Sequence, residues 1–278
     1  MSAALAHPIT TEPTSDFGWS FEPLVVIPLV VLGLLYANGS SRLAARQRTP
    51  NKRQRLMFWT GFLVLTLALV SPLHQAGTRI FALHMIEHEL LMLVAAPLMV
   101  AARPGAALLW GLPHISRGIA GALLQGRLLR TGWRGASELW SATGLHALAL
   151  WLWHAPTLFH AVLENGNVHI LQHASFVASG MIFWSAIFRC ERSRKEGTAI
   201  LSLFVTSLQA GFLGALMAMS RVVWYPFAPD PFPICGLTRG EDQALAGLIM
   251  WIPGCAVYLI VALVIMARWL SVMGMRRA

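Results

Sequence analysis

Seven apolar runs are spaced along the chain, at approximately residues 22–38, 56–73, 79–101, 139–155, 168–189, 198–219 and 244–268. Most of them approach the roughly 20 residues that a helix needs to cross the hydrocarbon core of a bilayer. A backbone in lipid must satisfy its own hydrogen bonds, and apolar runs of this length do so as helices. The expected fold is an all-α membrane protein, a seven transmembrane helix bundle. The first run is the shortest and carries Pro23 and Pro28, so its ends are the least sharply marked. No polar block between runs is large enough to fold alone, and residues 1–278 read as a single integral membrane domain.

The loops orient the bundle. Only 12% of the residues are charged, about half the usual share for a soluble domain. The net charge is +9, and the basic residues are concentrated between the apolar runs and at the C-terminal end. "SSRLAARQRTPNKRQR", the 102–138 segment, "RCERSRKEG" and the C-terminal end hold all of the 21 Lys and Arg except Arg79, Arg221 and Arg239. The N-terminal tail carries Glu12, Asp16 and Glu22 with no basic residue. Cytoplasmic loops are the Lys/Arg-rich ones, so the N-terminus is expected outside and the C-terminus in the cytoplasm. No nucleic-acid motif accompanies the positive charge, which is read as topology and contact with the lipid bilayer. The polar tail also lacks the basic start and apolar middle of a secretory signal.

Within the long 102–138 connection, Leu112, Ile115, Ile119 and Leu123 alternate with Arg117, Arg127 and Arg130. That pattern predicts an amphipathic segment on the inner membrane surface over approximately 105–130. In the sixth run, Gly211, Gly214, Ala215 and Ala218 predict a small-residue surface for close helix packing. The cysteines Cys190, Cys235 and Cys255 form no CxxC pair, and Cys235 and Cys255 are expected at different depths.

The ten histidines are not scattered once this topology is drawn. His74, His84, His88, His146, His154, His160, His169 and His173 all fall in the outer half of the bundle or its outer loops. Residues four apart share one helix face, so His84 and His88 pair on the third run, with Glu87 on the same side. His169 and His173 pair on the fifth, with Gln172 beside them, and His146 and His154 lie two turns apart on the fourth. At about 1.5 Å per residue they descend from the outer surface to about 14 Å inside it. His74 and His160 are read as ordinary loop residues. Ionisable side chains inside a span are expensive and point to function.

Several chemistries use such a pattern. Imidazole pairs suit copper or zinc, and a neighbouring thioether such as Met85, or Met217, Met219 and Met250, would favour Cu(I). "HMIEH" also matches the H-x-x-E-H arrangement of zinc hydrolases, in which Glu87 would be the general base. A b-type haem is a third reading, although haem needs histidines on opposite faces and explains i,i+4 doublets less well. In the last outer loop, Asp242 is expected to cap its own helix rather than ligate metal.

The strings "GEDQALAGLIMWIPG", "HMIEHELLMLVAAPLMVAARP" and "WHAPTLFHAVLENGNVHILQHASFVASGMIFW" resemble the CtaG family of membrane-bound cytochrome c oxidase assembly factors. The resemblance implies a seven-span protein of the bacterial cytoplasmic (inner) membrane, acting as a non-enzymatic chaperone that helps a haem-copper oxidase acquire copper. Its partners would be oxidase subunits and outer-side copper chaperones. The family pattern includes His84, His88, His154, His160, His169, His173 and Asp242. The spacing argument makes His84, His88 and His173 core metal ligands, and His169 and His154 access residues. Glu87, Gln172, His146 and Asp242 are expected to support them.

Overall fold

A computed structural model describes residues 18–48, 50–225 and 237–274. Most of the acidic tail, the loop containing Cys235, and Arg276 and Arg277 lie outside the described residues. Among the described residues twelve helices follow one another and no strand occurs. They are α1 (Pro23–Ala44), α2 (Lys52–Val70), α3 (Pro72–Gly77), α4 (Phe81–Ala102), α5 (Gly105–Gly111) and α6 (His114–Gln125). The second half comprises α7 (Arg127–Ala136), α8 (Leu139–Trp153), α9 (Pro156–Glu164), α10 (Gly166–Arg192), α11 (Glu196–Met219) and α12 (Arg239–Met273). Five of them, α1, α4, α10, α11 and α12, are long and apolar enough to cross a membrane.

Local chemistry sets the ends of these helices. Asn51 and Gln54 form a reciprocal capping box at the start of α2, and Thr238 and Glu241 do the same for α12. Asn165 accepts from the amides of Asn167 and Val168 to open α10, and Glu138 accepts from Trp140 and Ser141 to open α8. Helix α4 has no capping side chain of its own at Ile80. Its cap comes from α12, where the Asp242 carboxylate accepts from the amides of Phe81 at 2.7 Å and Ala82 at 3.0 Å. The expectation that Asp242 caps its own helix is thereby corrected, because Thr238 already fills that place and leaves Asp242 free to bind the next helix.

Helix α4 lies at the centre, packed on α2, α3, α10 and α12. One apolar core, which includes Phe81, Phe176, Phe183, Trp184 and Tyr258, fills the space between α4, α8, α10, α11 and α12. A second, around Tyr36 and Phe58, joins α1, α2 and α5 to the other side of α4. Two helices carry π-helical turns, Leu90–Ala95 in α4 and Met250–Gly254 in α12. Pro253 lacks the N–H that a regular turn would use, which accounts for the second. At the first, Trp184 donates from its indole N–H to the Met92 carbonyl at 2.8 Å.

The amphipathic reading of 105–130 is corrected in part. Residues 105–111 are not a surface strip. They form α5, which lies so close to α1 that a Cβ at Gly39 or Gly111 would meet the carbonyl of Ala107 or of Leu35. Arg42 on α1 donates to the carbonyls of Trp110 and Leu112 at the end of α5. By contrast α6 and α7 contain no buried residue. On α11, Gly214 meets the backbone of Gly247 and Trp251, a contact open only to small residues.

Candidate metal centre

The i,i+4 spacing of His84 and His88 does place both rings on one face of α4, and α10 turns His169 and His173 towards them. Ring centroids are 4.2 Å apart for His84 and His88, 4.4 Å for His169 and His173, and 5.2 Å for His88 and His173. The sequence-predicted ligands of two helices thus meet in one cluster at the end where α4 and α10 begin.

The cluster has a fifth member that the spacing argument treated as an ordinary loop residue. Helix α3 is a single short turn, opened by Ser71 and Pro72, that folds back on α4. It lowers His74 into the group, 5.3 Å from His169 and 5.7 Å from His173 between ring centroids. The available signal was positional: His74 directly follows the second apolar run, in the loop expected to share the outer side with the other histidines.

Glu87 organises the rings. Its Oε1 accepts from His74 Nδ1 at 2.8 Å and lies 3.6 Å from His173 Nδ1. A carboxylate on Nδ1 fixes the tautomer that leaves Nε2 with its lone pair. In His173 that Nε2 is buried and has no hydrogen-bond partner. Neither ring nitrogen of buried His88 has one, nor has His169 Nε2. Burial alone would push the His74 pKa down, but the hydrogen bond and charge of Glu87, with Glu22 adding to them, outweigh it and raise it above the usual value.

Among the described residues, two sets of three rings have donor atoms mutually within 4.8 Å: His74, His169 and His173, and His84, His88 and His173. A tetrahedral site with metal–nitrogen bonds of about 2.0–2.1 Å separates its ligand nitrogens by about 3.3 Å. A convergence of up to about 1.5 Å remains, within the reach of side-chain rotation, so the residues present fit a d10 ion held by imidazole. Among the described residues, Met85, Met217 and Met250 belong to the apolar core with Phe81 and Trp184, while Met219 is exposed.

The two sets differ in access. His74, His169 and His173 line a groove of about 390 Å³ whose other walls are apolar, including Val25 and Leu29 of α1, Leu65 of α2, and Ile170 and Val177 of α10. Glu22 stands at its edge, and a smaller pocket that shares Glu22, Leu24 and Ile170 continues to Asn165 and Asn167. His84 and His88 are each only 1% exposed and do not line it.

The remaining expectations divide. Gln172 is buried and within hydrogen-bonding reach of His84. His154 is not an access residue. It is buried behind His88, at 6.3 Å between ring centroids, and does not line the groove. It donates from Nδ1 to the Leu150 carbonyl at 2.7 Å, which leaves a buried Nε2 without a partner. His146 stands apart from the cluster, because both of its ring nitrogens are engaged, by Ser179 Oγ at 3.2 Å and Tyr258 Oη at 3.0 Å. It ties three helices together instead of supporting a ligand. His160 is exposed on α9, paired with Glu164. Asp242 acts at one remove, by holding the start of the helix that carries His84 and His88. Glu89, on another face of α4, turns its carboxyl towards Gly254 of α12.

No curated protein and no solved structure matches the chain. A family model described as cytochrome c oxidase caa3 assembly factor matches residues 34–271, which takes in α2 to α11 whole, half of α1, most of α12, and every histidine of the cluster. The chain belongs to the cytochrome c oxidase caa3 assembly factor family, Caa3_CtaG.

Proposed function

We propose that this protein supplies copper to a haem-copper oxidase during its assembly, without enzymatic turnover, from a seven-crossing bundle in a bacterial cytoplasmic membrane. The observation that carries this reading is the convergence of buried, unpartnered imidazole nitrogens around Glu87. Copper is the cargo that the assembly of such an oxidase requires, and neutral imidazole is a suitable ligand for it. His84, His88 and His173 form the inner ligand set.

The orientation, N-terminus outside and C-terminus cytoplasmic, rests on the distribution of Lys and Arg. It turns the histidine cluster to the outer face, where outer-side copper chaperones would load it and oxidase subunits would receive from it. The count of seven is supported by α2 and α8, which are shorter but pack within the bundle on α4 and on α10 and α11.

Two rival readings meet specific obstacles. As a hydrolase base, Glu87 would have to take a proton from a metal-bound water, whereas its Oε1 is held by His74 and only Oε2 is left for that role. For haem, a macrocycle would have to slide between rings that already pack at 4.2–5.8 Å. The test is metal analysis of protein purified without a His-tag. The expectation is stoichiometric copper in the wild type and a marked loss of affinity in His84→Ala and His88→Ala. Protein that takes up no copper, or variants that bind it as tightly as the wild type, would overturn the reading.

A further inference from the structure

The two histidine triads are not independent, because both need His173. The Nδ1 of that ring lies 3.6 Å from Glu87 Oε1, whereas its Nε2 is buried without a hydrogen-bond partner and is the nitrogen available to a metal. A ring nitrogen has one lone pair and serves one ion at a time. The triads also differ in access: His74, His169 and His173 line the groove that Glu22 also lines, while His84 and His88 are buried and do not line it. Behind His88 waits one more buried, unpartnered nitrogen, His154 Nε2.

From this geometry we propose that the triads are two stations of a single transfer path, a groove-side station at His74, His169 and His173 and a buried station at His84, His88 and His173, with His173 the ligand common to both. The inference rests on the copper reading above and adds the route. An ion of copper(I) enters past Glu22 and is taken up by the groove-side triad. Transfer is ligand exchange: the bonds to His74 and His169 break as bonds to His84 and His88 form, while the bond to His173 Nε2 persists. Each imidazole binds the ion in its neutral form, Nδ1–H of His74 remains on Glu87, and no electron moves. Glu87 suits both stations because one of its oxygens faces both rings. One ion therefore occupies the chain at a time.

The test uses the full chain in detergent, without a His-tag, titrated with copper(I) against a chromogenic copper(I) chelator, with loading followed by stopped flow. The wild type should saturate at one ion per chain. His88→Ala should still bind one ion, about tenfold or more weakly, at the groove-side station. His74→Ala should also bind one ion but load about tenfold or more slowly. The double variant should bind none, and Glu22→Gln should slow loading without changing the stoichiometry.

Two ions per wild-type chain would overturn the shared ligand. Full loss of binding in His88→Ala would overturn the groove-side station while leaving the copper reading intact, and a wild type that binds nothing removes both. Unchanged loading rates in His74→Ala and Glu22→Gln would overturn the route. The wild-type and His88→Ala stoichiometries decide the matter even if the double variant does not fold. Melting with and without copper(I) checks that each single variant is folded.

Discussion

Glu87 Oε1 accepts from His74 Nδ1 at 2.8 Å, across a fold that brings a six-residue turn onto the helix following it. That one contact fixes which nitrogen of His74 faces the cluster, and its removal gives the first prediction. Glu87→Gln retains the shape but replaces the carboxylate with a weaker acceptor that can also turn its amide towards the ring. Copper affinity should fall by about 10–100-fold with the fold retained, measured by chelator competition. Unaltered affinity would show that the rings are held by packing alone.

Asp242 supplies the missing cap of α4 from another helix. Asp242→Ala leaves two buried amides without an acceptor and should lower stability by about 1–3 kcal/mol. The readout is chemical or thermal denaturation in detergent. Copper stoichiometry below the transition should be retained, because no ligand is lost. Failure to bind metal in a variant of unchanged stability would contradict this division of labour.

His146→Phe tests whether depth in the membrane or position in the cluster makes a histidine functional. The substitution leaves Ser179 and Tyr258 without their shared partner and should cost about 1–3 kcal/mol. Its copper content should equal that of the wild type. Loss of copper with stability intact would return His146 to the site.

Gly214→Leu drives a side chain into the backbone of Gly247 and Trp251. Separating α11 from α12 should destabilise by about 1–3 kcal/mol, seen as a lower midpoint of unfolding. A midpoint at the wild-type value would mean that the two helices do not depend on that close approach.

Much of this arrangement was written in local patterns. The i,i+4 pairs on α4 and α10 could be read because a helix repeats its face every 3.6 residues whatever surrounds it. The small residues of α11 were legible for the same reason, since a surface without side-chain bulk implies a close neighbour. The error at His146 arose because a projected depth does not say which helix a face meets. Here α8 turns that ring to Ser179 and Tyr258. His154 was misjudged in the same way, being buried behind His88 instead of standing at an approach.

The sequence alone determined the helical membrane architecture and the grouping of histidines towards one end, because hydrophobic length, helical period and charge asymmetry are properties of consecutive residues. Only the tertiary structure decided that His74 joins the cluster, that Asp242 caps α4 and not its own helix, and that residues 105–111 pack against α1. Each of these joins residues from different helices or turns. Such a pairing depends on how whole helices cross, a matter on which spacing along one chain is silent.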